Sequence, residues 1–526
     1  MAVLSLLVLA SIACAQTANL FPPGSVVGYP GPTPTGIEAF EVATGPAAPA
    51  QTNYFPLVRF RPSDEGANGT YDPFAVSFGN LSPALSLPPA TFSPDFVNSS
   101  ALIPPQCTLN QVHLLHRHGS RYPTSGSAPA SFGVKVANNT GKFNASGSLS
   151  FLNKWQYGLG AEILTPFGRE QLFELGVSFR VKYGYLLDKF ANGTLPVFRT
   201  TSEDRMLKSA LNFAAGFFGI PYEDQYHQSI LIEATGFNNT LAPYETCTNG
   251  NNANSAGGSA AVNLWVPIYL KDAAARLTAQ SGGLNITASD AYAMQQLCAY
   301  EVNALGYSDF CPLFTQEEFK GFEYTFDLSF WYSNFFGGPY VAAQGIGYVQ
   351  ELVARLTQTP VAVHNSTTNS TLDNSAVTFP LNQPIYVDAS HDTVISAIIV
   401  AMNFSSLAAT GPLPTDHIPA KRSFIVSQVA PFATQLAGQV LTCTEGNSTE
   451  SYIRWLLNDA SLPLTNIPGC AADPYGRCLT STWLAAMKQR IQQVSFANDC
   501  LANYTIANVI GANITDGRPP KSAVFH

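Results

Sequence analysis

Short β-prone runs appear at three places along the chain, and each gives way within a few residues to an apolar pattern of helical period. In the first, QVHLLH at 111–116 leads into RHGSRYP. In the second, LPVFRT at 195–200 runs into TSEDRMLKSALNFAAGFFG, with Ser202 the expected N-cap, Glu203 and Asp204 in the first turn, and Gly219 closing the helix. In the third, PIYVDAS at 384–390 runs into HDTVISAIIVAMNF. A further helix is expected from Thr165-Pro166, a cap with Pro at N1, carrying Leu172, Leu175, Phe179 and Leu186 on its apolar face. Strands that alternate with helices predict an α/β fold, with a central, mostly parallel sheet flanked by helices. Ligands gather beyond the carboxyl ends of such strands, and all three motifs fall at that edge.

The rest of the chain divides around this frame. Residues 16–105 are rich in Pro, Gly, Ser and Ala and keep neither period, which predicts an irregular N-terminal arm. The α/β domain is expected from 106–205 together with 375–526, and 206–374 is expected to form a smaller, mainly helical insert. Within that insert TCTNGNNANSAGGSAAVN, 246–263, is expected to be a polar loop.

The first fifteen residues, MAVLSLLVLASIACA, form a short apolar run ending in a small-x-small pattern, which predicts a signal peptide over 1–15. No other apolar stretch approaches the ~20 residues that span a bilayer, so export is expected and anchoring is not. Eight cysteines remain beyond the leader: Cys107, Cys247, Cys298, Cys311, Cys443, Cys470, Cys478 and Cys500. An even number in an exported chain predicts disulfides, although spacing alone leaves their connectivity open. Asn-x-Ser/Thr sequons occur at fourteen places, including Asn68, Asn138, Asn238, Asn285, Asn365, Asn447 and Asn513, and predict a surface carrying N-linked glycans.

Composition narrows the function. A chain that is 46% hydrophobic and 12% charged, with net charge −9, builds a large core and is not a general binder of nucleic acid or membrane surfaces. Against that sparsely charged background HLLHRHGSRYPTSG, 113–126, holds three of the eight histidines and two arginines with no Asp or Glu. Burying Arg117 and Arg121 without a counter-charge costs several kcal/mol. An anionic ligand is therefore expected to supply that charge.

A metal at His116-x-His118 is disfavoured by the neighbouring guanidiniums and by the lack of a nearby ligand set. Guanidinium groups bind phosphate bidentately and stay charged at every relevant pH. Beside them His118, followed by Gly119, is placed to attack phosphorus as a neutral imidazole. Arg205, in the first turn of its helix, would add a third guanidinium, the bland alternative being a surface pair with Glu203. His391 would contact phosphoryl oxygens and Asp392 would protonate the leaving oxygen, unless Asp392 merely caps its helix. No metal and no other cofactor is required by this scheme, since the three arginines neutralise charge.

The run Arg117-His118-Gly119-Ser120-Arg121-Tyr122-Pro123 resembles the RHGxRxP signature of the histidine acid phosphatases, which include the fungal phytases. Thr165-Pro166-Phe167-Gly168, the helix start at Arg205, QGIGYVQELVARLT at 344–357 and Ser390-His391-Asp392-Thr393 are similar to the same family and follow in the same order. The resemblance implies a phosphoglycerate mutase-like fold, with His118 as nucleophile, Asp392 as proton donor, and Arg117, Arg121, Arg205 and His391 binding the phosphoryl group. It further implies disulfides Cys107 to Cys443, Cys247 to Cys500, Cys298 to Cys311 and Cys470 to Cys478. The expected activity is a secreted acid phosphomonoesterase acting through phosphohistidine, on phytate or other organic phosphates. One departure bears on substrate: Thr393 stands where fungal phytases commonly have Asn, and only Lys135 and Lys142 follow the signature closely. The alternative outside catalysis is a silent phosphate-binding glycoprotein of the same fold.

Overall fold

The computed structural model describes residue 36 and residues 77–96, 99–191 and 193–526. The expected leader, 1–15, and nearly all of the arm as far as residue 76 lie outside the described residues. What is described of the arm has no regular element longer than a three-residue turn.

Four strands run parallel in the order β3-β2-β4-β1: β1 is Cys107–Arg117, β2 is Val197–Thr201, β3 is His227–Leu231 and β4 is Ile385–Ser390. Antiparallel to β1 follows β5, Gln435–Glu445, and antiparallel to β5 follows β6, Ser448–Leu457, a hairpin that extends the mixed sheet on the side away from β3. The period of two along β1 sorts its side chains. Val112 and Leu114 join one apolar layer, and Leu115 joins the other.

On the first face lie α1 of the layer, Pro166–Tyr183, and α2, Asp204–Phe218. Leu172, Leu175 and Phe179 from α1 meet Phe213 and Phe217 from α2 over Phe198 and Val387 of the sheet. Each such side chain contributes about 1.5–3 kcal/mol by leaving water. Gly176 and Gly216 let the two backbones approach, since a Cβ at either would lie 2.2 or 2.0 Å from a carbonyl oxygen of the other helix. Helix α1 stops at Tyr183, so Leu186, expected on its apolar face, is buried from a following 3₁₀ turn.

The second face is covered by the helix after β4, Asp392–Ala401, and by the helical region of the chain centre. That region contains Gly257–Tyr269, Lys271–Gln280, Ala288–Leu305, Gln316–Asn334 and Val341–Thr357. Two expectations are corrected here. A helical insert starting at 206 would cut α2 in its first turn and exclude β3, which pairs with β2 over five residues, so the sheet-forming part runs on through Leu231. The polar loop expected over 246–263 is helical from Gly257, and its glycine at 258 serves packing, since a Cβ there would meet the Ser329 carbonyl oxygen at 2.4 Å. Composition read as flexibility is here a close helix contact.

Two disulfides, Cys107 to Cys443 and Cys247 to Cys500, tie distant parts of the chain, and two, Cys298 to Cys311 and Cys470 to Cys478, close local loops. No helix among the described residues is long and apolar enough to cross a membrane.

Candidate active site

Strands β1, β2, β3 and β4 end on one edge because they are parallel and in register, Arg117 standing opposite Ser390 and Thr201 opposite Leu231. The chain beyond each end brings His118 to Arg121, Glu203 to Arg205, Glu233, and His391 with Asp392 to a common centre.

The loop after β1 is held from below by α1. Thr165 caps α1 by accepting the Gly168 amide at 3.0 Å and donates to the Ser120 carbonyl at 3.2 Å. Gly119 and Gly168 face each other so closely that a Cβ on either would lie 2.0 Å from a backbone oxygen. Buried Asn303 accepts from the Ser120 hydroxyl and donates to the Leu81 carbonyl, joining the loop to the arm.

His118 is buried. Its Nδ1 lies 2.8 Å from the Gly119 carbonyl, which can only accept, so Nδ1 carries the proton and Nε2 keeps its lone pair. Burial, then the charges of Arg117, Arg205, Arg121 and His391, hold the imidazole well below its ordinary pKa, hence neutral in mild acid. The His118 and His391 rings stand 5.7 Å apart, edge to face. His116 and His113 are separate from this centre. His116 stacks on Phe213 and bonds the Arg117 carbonyl, while His113 stacks on Tyr386, and burial lowers them to about 4 and about 3.

Three guanidiniums surround His118. Arg117 is fully buried, with Asp392 at 2.8 Å and the carbonyls of Asn80 and Ala430 accepting from it. The expectation that a ligand alone supplies its counter-charge is thus corrected: Asp392, far away in sequence, supplies part of it. Arg121 donates to the Tyr122 carbonyl and to Thr124. Arg205 contacts Glu203 and lies 3.3 Å from Glu162, so the bland pairing with Glu203 is present at the edge of the same centre. The Nε of Arg117, Arg121 and Arg205 is in each case buried with no acceptor among the described residues, three N–H groups suited to an anion.

Asp392 is the first residue of its helix and His391 is the N-cap, without a side-chain cap bond. Asp392 does not serve as the N-cap. It accepts from Asn80 Nδ2 at 2.8 Å and from the Thr393 amide at 2.9 Å. Burial pushes its carboxyl up, but Arg117, Asn80, Arg121 and His391 outweigh that and hold it below the ordinary value. Without substrate the expected proton donor is a carboxylate.

Helix α2 is capped by Glu203, in place of the expected Ser202, and the Glu203 side chain accepts no cap bond; the Ser202 hydroxyl accepts the Glu233 amide. His391 Nε2 faces Glu233 at 3.2 Å and Glu203 at 3.6 Å. These three offer ligand atoms within 4.8 Å of one another, the metal-like grouping among the described residues, but Arg205 and the Tyr244 hydroxyl already engage the two carboxylates. That pattern is one of internal counter-charge. Lys135 and Lys142 are engaged elsewhere, by Asp290 and Asn285 and by the Asn138 carbonyl.

Three residues of the site escape a reading by sequence: Asn80, Glu162 and Glu233. Glu203 is visible as a first-turn acid beside Arg205, and Asn80 as a sequon. Only the fold shows what they touch.

A buried histidine among arginines at the carboxyl edge of an α/β sheet defines a phosphoryl-binding class of protein, and comparison with known sequences agrees. Residues 108–458 match the Histidine phosphatase superfamily (branch 2), and the chain belongs to that family. It is 32% identical to phytase A of Aspergillus oryzae over 72% of this chain and 81% of that one, and 33% identical to phytase A of Aspergillus fumigatus over 76% and 85%. Among solved structures the phytase from D. castellii aligns with a TM-score of 0.66 at 28% identity, covering 86% of this chain and 93% of the other. A Bifidobacterium longum multiple inositol polyphosphate phosphatase, at 14% identity and a TM-score of 0.53, shares the fold.

Proposed function

We propose that the chain hydrolyses phosphomonoesters, phytate among them, through a phosphohistidine on His118. The observation that carries this reading is the neutral His118, its Nδ1 fixed by the Gly119 carbonyl, within a ring of Arg117, Arg121 and Arg205. Nε2 attacks phosphorus, the N–P bond forms, and the ester O–P bond breaks. The leaving oxygen takes a proton from the Asp392 carboxyl. Water then attacks phosphorus, the N–P bond breaks, Asp392 recovers a proton, and phosphate leaves. The arginines spread the charge that develops on the phosphoryl oxygens.

The resting ionisation of Asp392 sets a condition on this cycle. Its proton arrives with the substrate, as the monoanionic ester that prevails in acid, and a bound phosphoryl group competes for Arg117 and so raises the Asp392 carboxyl. An acid optimum follows. The four disulfides support a secreted enzyme, and the exposed sequons at Asn138, Asn144, Asn238, Asn285, Asn365, Asn447, Asn503 and Asn513 support N-glycosylation.

Turnover of p-nitrophenyl phosphate at about pH 4–5 tests the reading, with His118→Ala expected to lose at least ~10³-fold in kcat. Acid quench during turnover should trap an acid-labile phosphoryl group on wild type and none on the variant. A folded wild-type protein with no turnover would leave the silent phosphate-binding glycoprotein instead. The ratio of kcat/KM for phytate and p-nitrophenyl phosphate decides between a dedicated phytase and a broad phosphatase.

A further inference from the structure

Two of the cations assigned to the phosphoryl group are already in contact with carboxylates of this chain. Arg205 contacts Glu203 and Glu162, and His391 stands between Glu233 and Glu203. The three acids differ in how they are held. Glu162 also accepts the Ser125 amide at 2.8 Å, and Glu233 also accepts the Tyr244 hydroxyl, so both are fixed by groups outside the cation set. Glu203 has no such second anchor. Its Oε1 takes Arg205, and its Oε2 is buried, 3.6 Å from His391 Nε2, with no hydrogen-bond donor among the described residues. It is the acid whose release would free both Arg205 and His391.

Building on the phosphomonoesterase reading, we propose that Glu203 is a specificity-determining residue that, when ionised, stands in for the substrate phosphoryl group on Arg205 and His391. When it is neutral it yields both cations and offers an O–H to a phosphoryl oxygen. The surroundings favour such a change. Facing Glu203 are Arg121 from the loop after β1, Glu162 from the turn before α1, Arg205 on α2, Glu233 and Tyr244 beyond β3, and His391 at the end of β4. Burial and the Glu233 charge raise the Glu203 carboxyl, and His391, Arg205 and Arg121 offset them only in part. Glu233 stays ionised because His391 and the Tyr244 hydroxyl outweigh its own burial. Of the two carboxylates on His391, Glu203 therefore takes the proton first as pH falls.

The consequence is a substrate affinity that declines as pH rises, from competition inside the site and independently of Asp392. It also disfavours polyanions: an ester with several phosphates meets Glu203, Glu162 and Glu233 around the cations that bind its first phosphoryl group.

The test compares wild type with Glu203→Gln, which keeps the shape and removes the charge. KM for p-nitrophenyl phosphate and Ki for inorganic phosphate are measured at steps from about pH 4 to pH 7, so that substrate ionisation cancels in the ratio. The expected result is a wild-type to variant KM ratio that climbs from near unity to about fivefold or more, as one unscreened like charge implies. Ki should move in parallel, while the kcat ratio stays flat across the range. A KM ratio independent of pH would overturn the proposal, and so would a change confined to kcat. Calorimetric binding of inorganic phosphate to the same two proteins reads the competition without turnover. A phosphate affinity that fails to differ at about pH 7 sinks the role of Glu203, whereas binding without any turnover in wild type sinks the enzymatic reading and leaves Glu203 standing.

Discussion

Asn80 shows how a single polar contact tunes the chemistry. Its Nδ2 donates to Asp392 Oδ2 at 2.8 Å and its carbonyl accepts from Arg117, so one residue of the arm touches both the proposed acid and that acid's partner. Loss of the amide removes a bond that favours the Asp392 carboxylate. Asn80→Ala should therefore move the apparent pKa of the alkaline limb of the kcat profile upward by about half to one unit. Because the freed carboxyl is less well placed, kcat at the optimum should fall roughly three- to tenfold. A profile that keeps its limb while kcat falls would show that Asn80 only shapes the loop. Asn80 also opens an Asn-Leu-Ser sequon, and its amide nitrogen is occupied by Asp392. Glycopeptide mapping should find Asn80 bare and sugar at the exposed Asn138, Asn285 or Asn447.

The elements that carry the site were the more legible part of the chain, and the reason is local. Thr165-Pro166, Gly219 and the apolar runs ending at Arg117, Thr201 and Ser390 announce starts and stops through caps and period, which neighbours in sequence decide. The signature cluster was legible because Arg117, His118 and Arg121 lie within five residues. Asn80, Glu162 and Glu233 were not, since tertiary packing alone brings them together, and the pairing of Arg117 with Asp392 spans the sheet. The β5–β6 hairpin and the helix from Gly257 were missed for a related reason: their glycines mark close contact, as at Gly438, where a Cβ would lie 2.7 Å from the Trp455 ring. The Gly119 and Gly168 contact turns this into a prediction. Gly119→Ala drives a Cβ to 2.0 Å from the Gly168 carbonyl and must push the nucleophile loop off α1. It should cost about 1–3 kcal/mol by thermal or urea unfolding and more than ~100-fold in kcat. Thr165→Ala, which loses the cap but adds no atoms, should cost about 1 kcal/mol with a smaller loss of kcat. Equal kinetic losses in the two would show that the cap, and not the close approach, places His118.

At the scale of the whole molecule, buried ionisable groups set where the fold is most stable, and that range need not be the range of activity. Burial lowers His113 to about 3 and His116 to about 4, below the ordinary value of 6.5, and burial with the neighbouring arginines holds His118 well below that value too. Their folded pKa values lie below the unfolded ones, so the unfolded chain binds more protons and stability falls as pH drops below about 6.5. Buried carboxyls act in the opposite direction, Asp327 among them, pushed up to about 8 by burial and by Glu323 against the pull of Arg422. Burial, reinforced by Glu351, pushes Asp373 up to about 8, and burial with Asp516 pushes Asp499 up to about 7. Their stabilisation is complete below the ordinary carboxyl value of 3.8 and is lost as pH rises toward 7 and 8. Between about pH 4 and 6.5 the two sets oppose each other, and above 6.5 only the carboxyls remain. Asp388, held low by Arg199 and Arg355 against its burial, stays ionised in the fold and steepens only the acid side, near and below the ordinary carboxyl value of 3.8 where the unfolded chain takes the proton. Melting temperature should therefore peak between about pH 5.5 and 7 and drop by several degrees toward pH 8, as well as toward pH 3. Asp373→Asn and Asp499→Asn should flatten the alkaline side alone. A melting temperature that keeps rising to pH 8 would contradict the burial of these carboxyls, and a maximum that coincides with the acid activity optimum would contradict the neutral histidines.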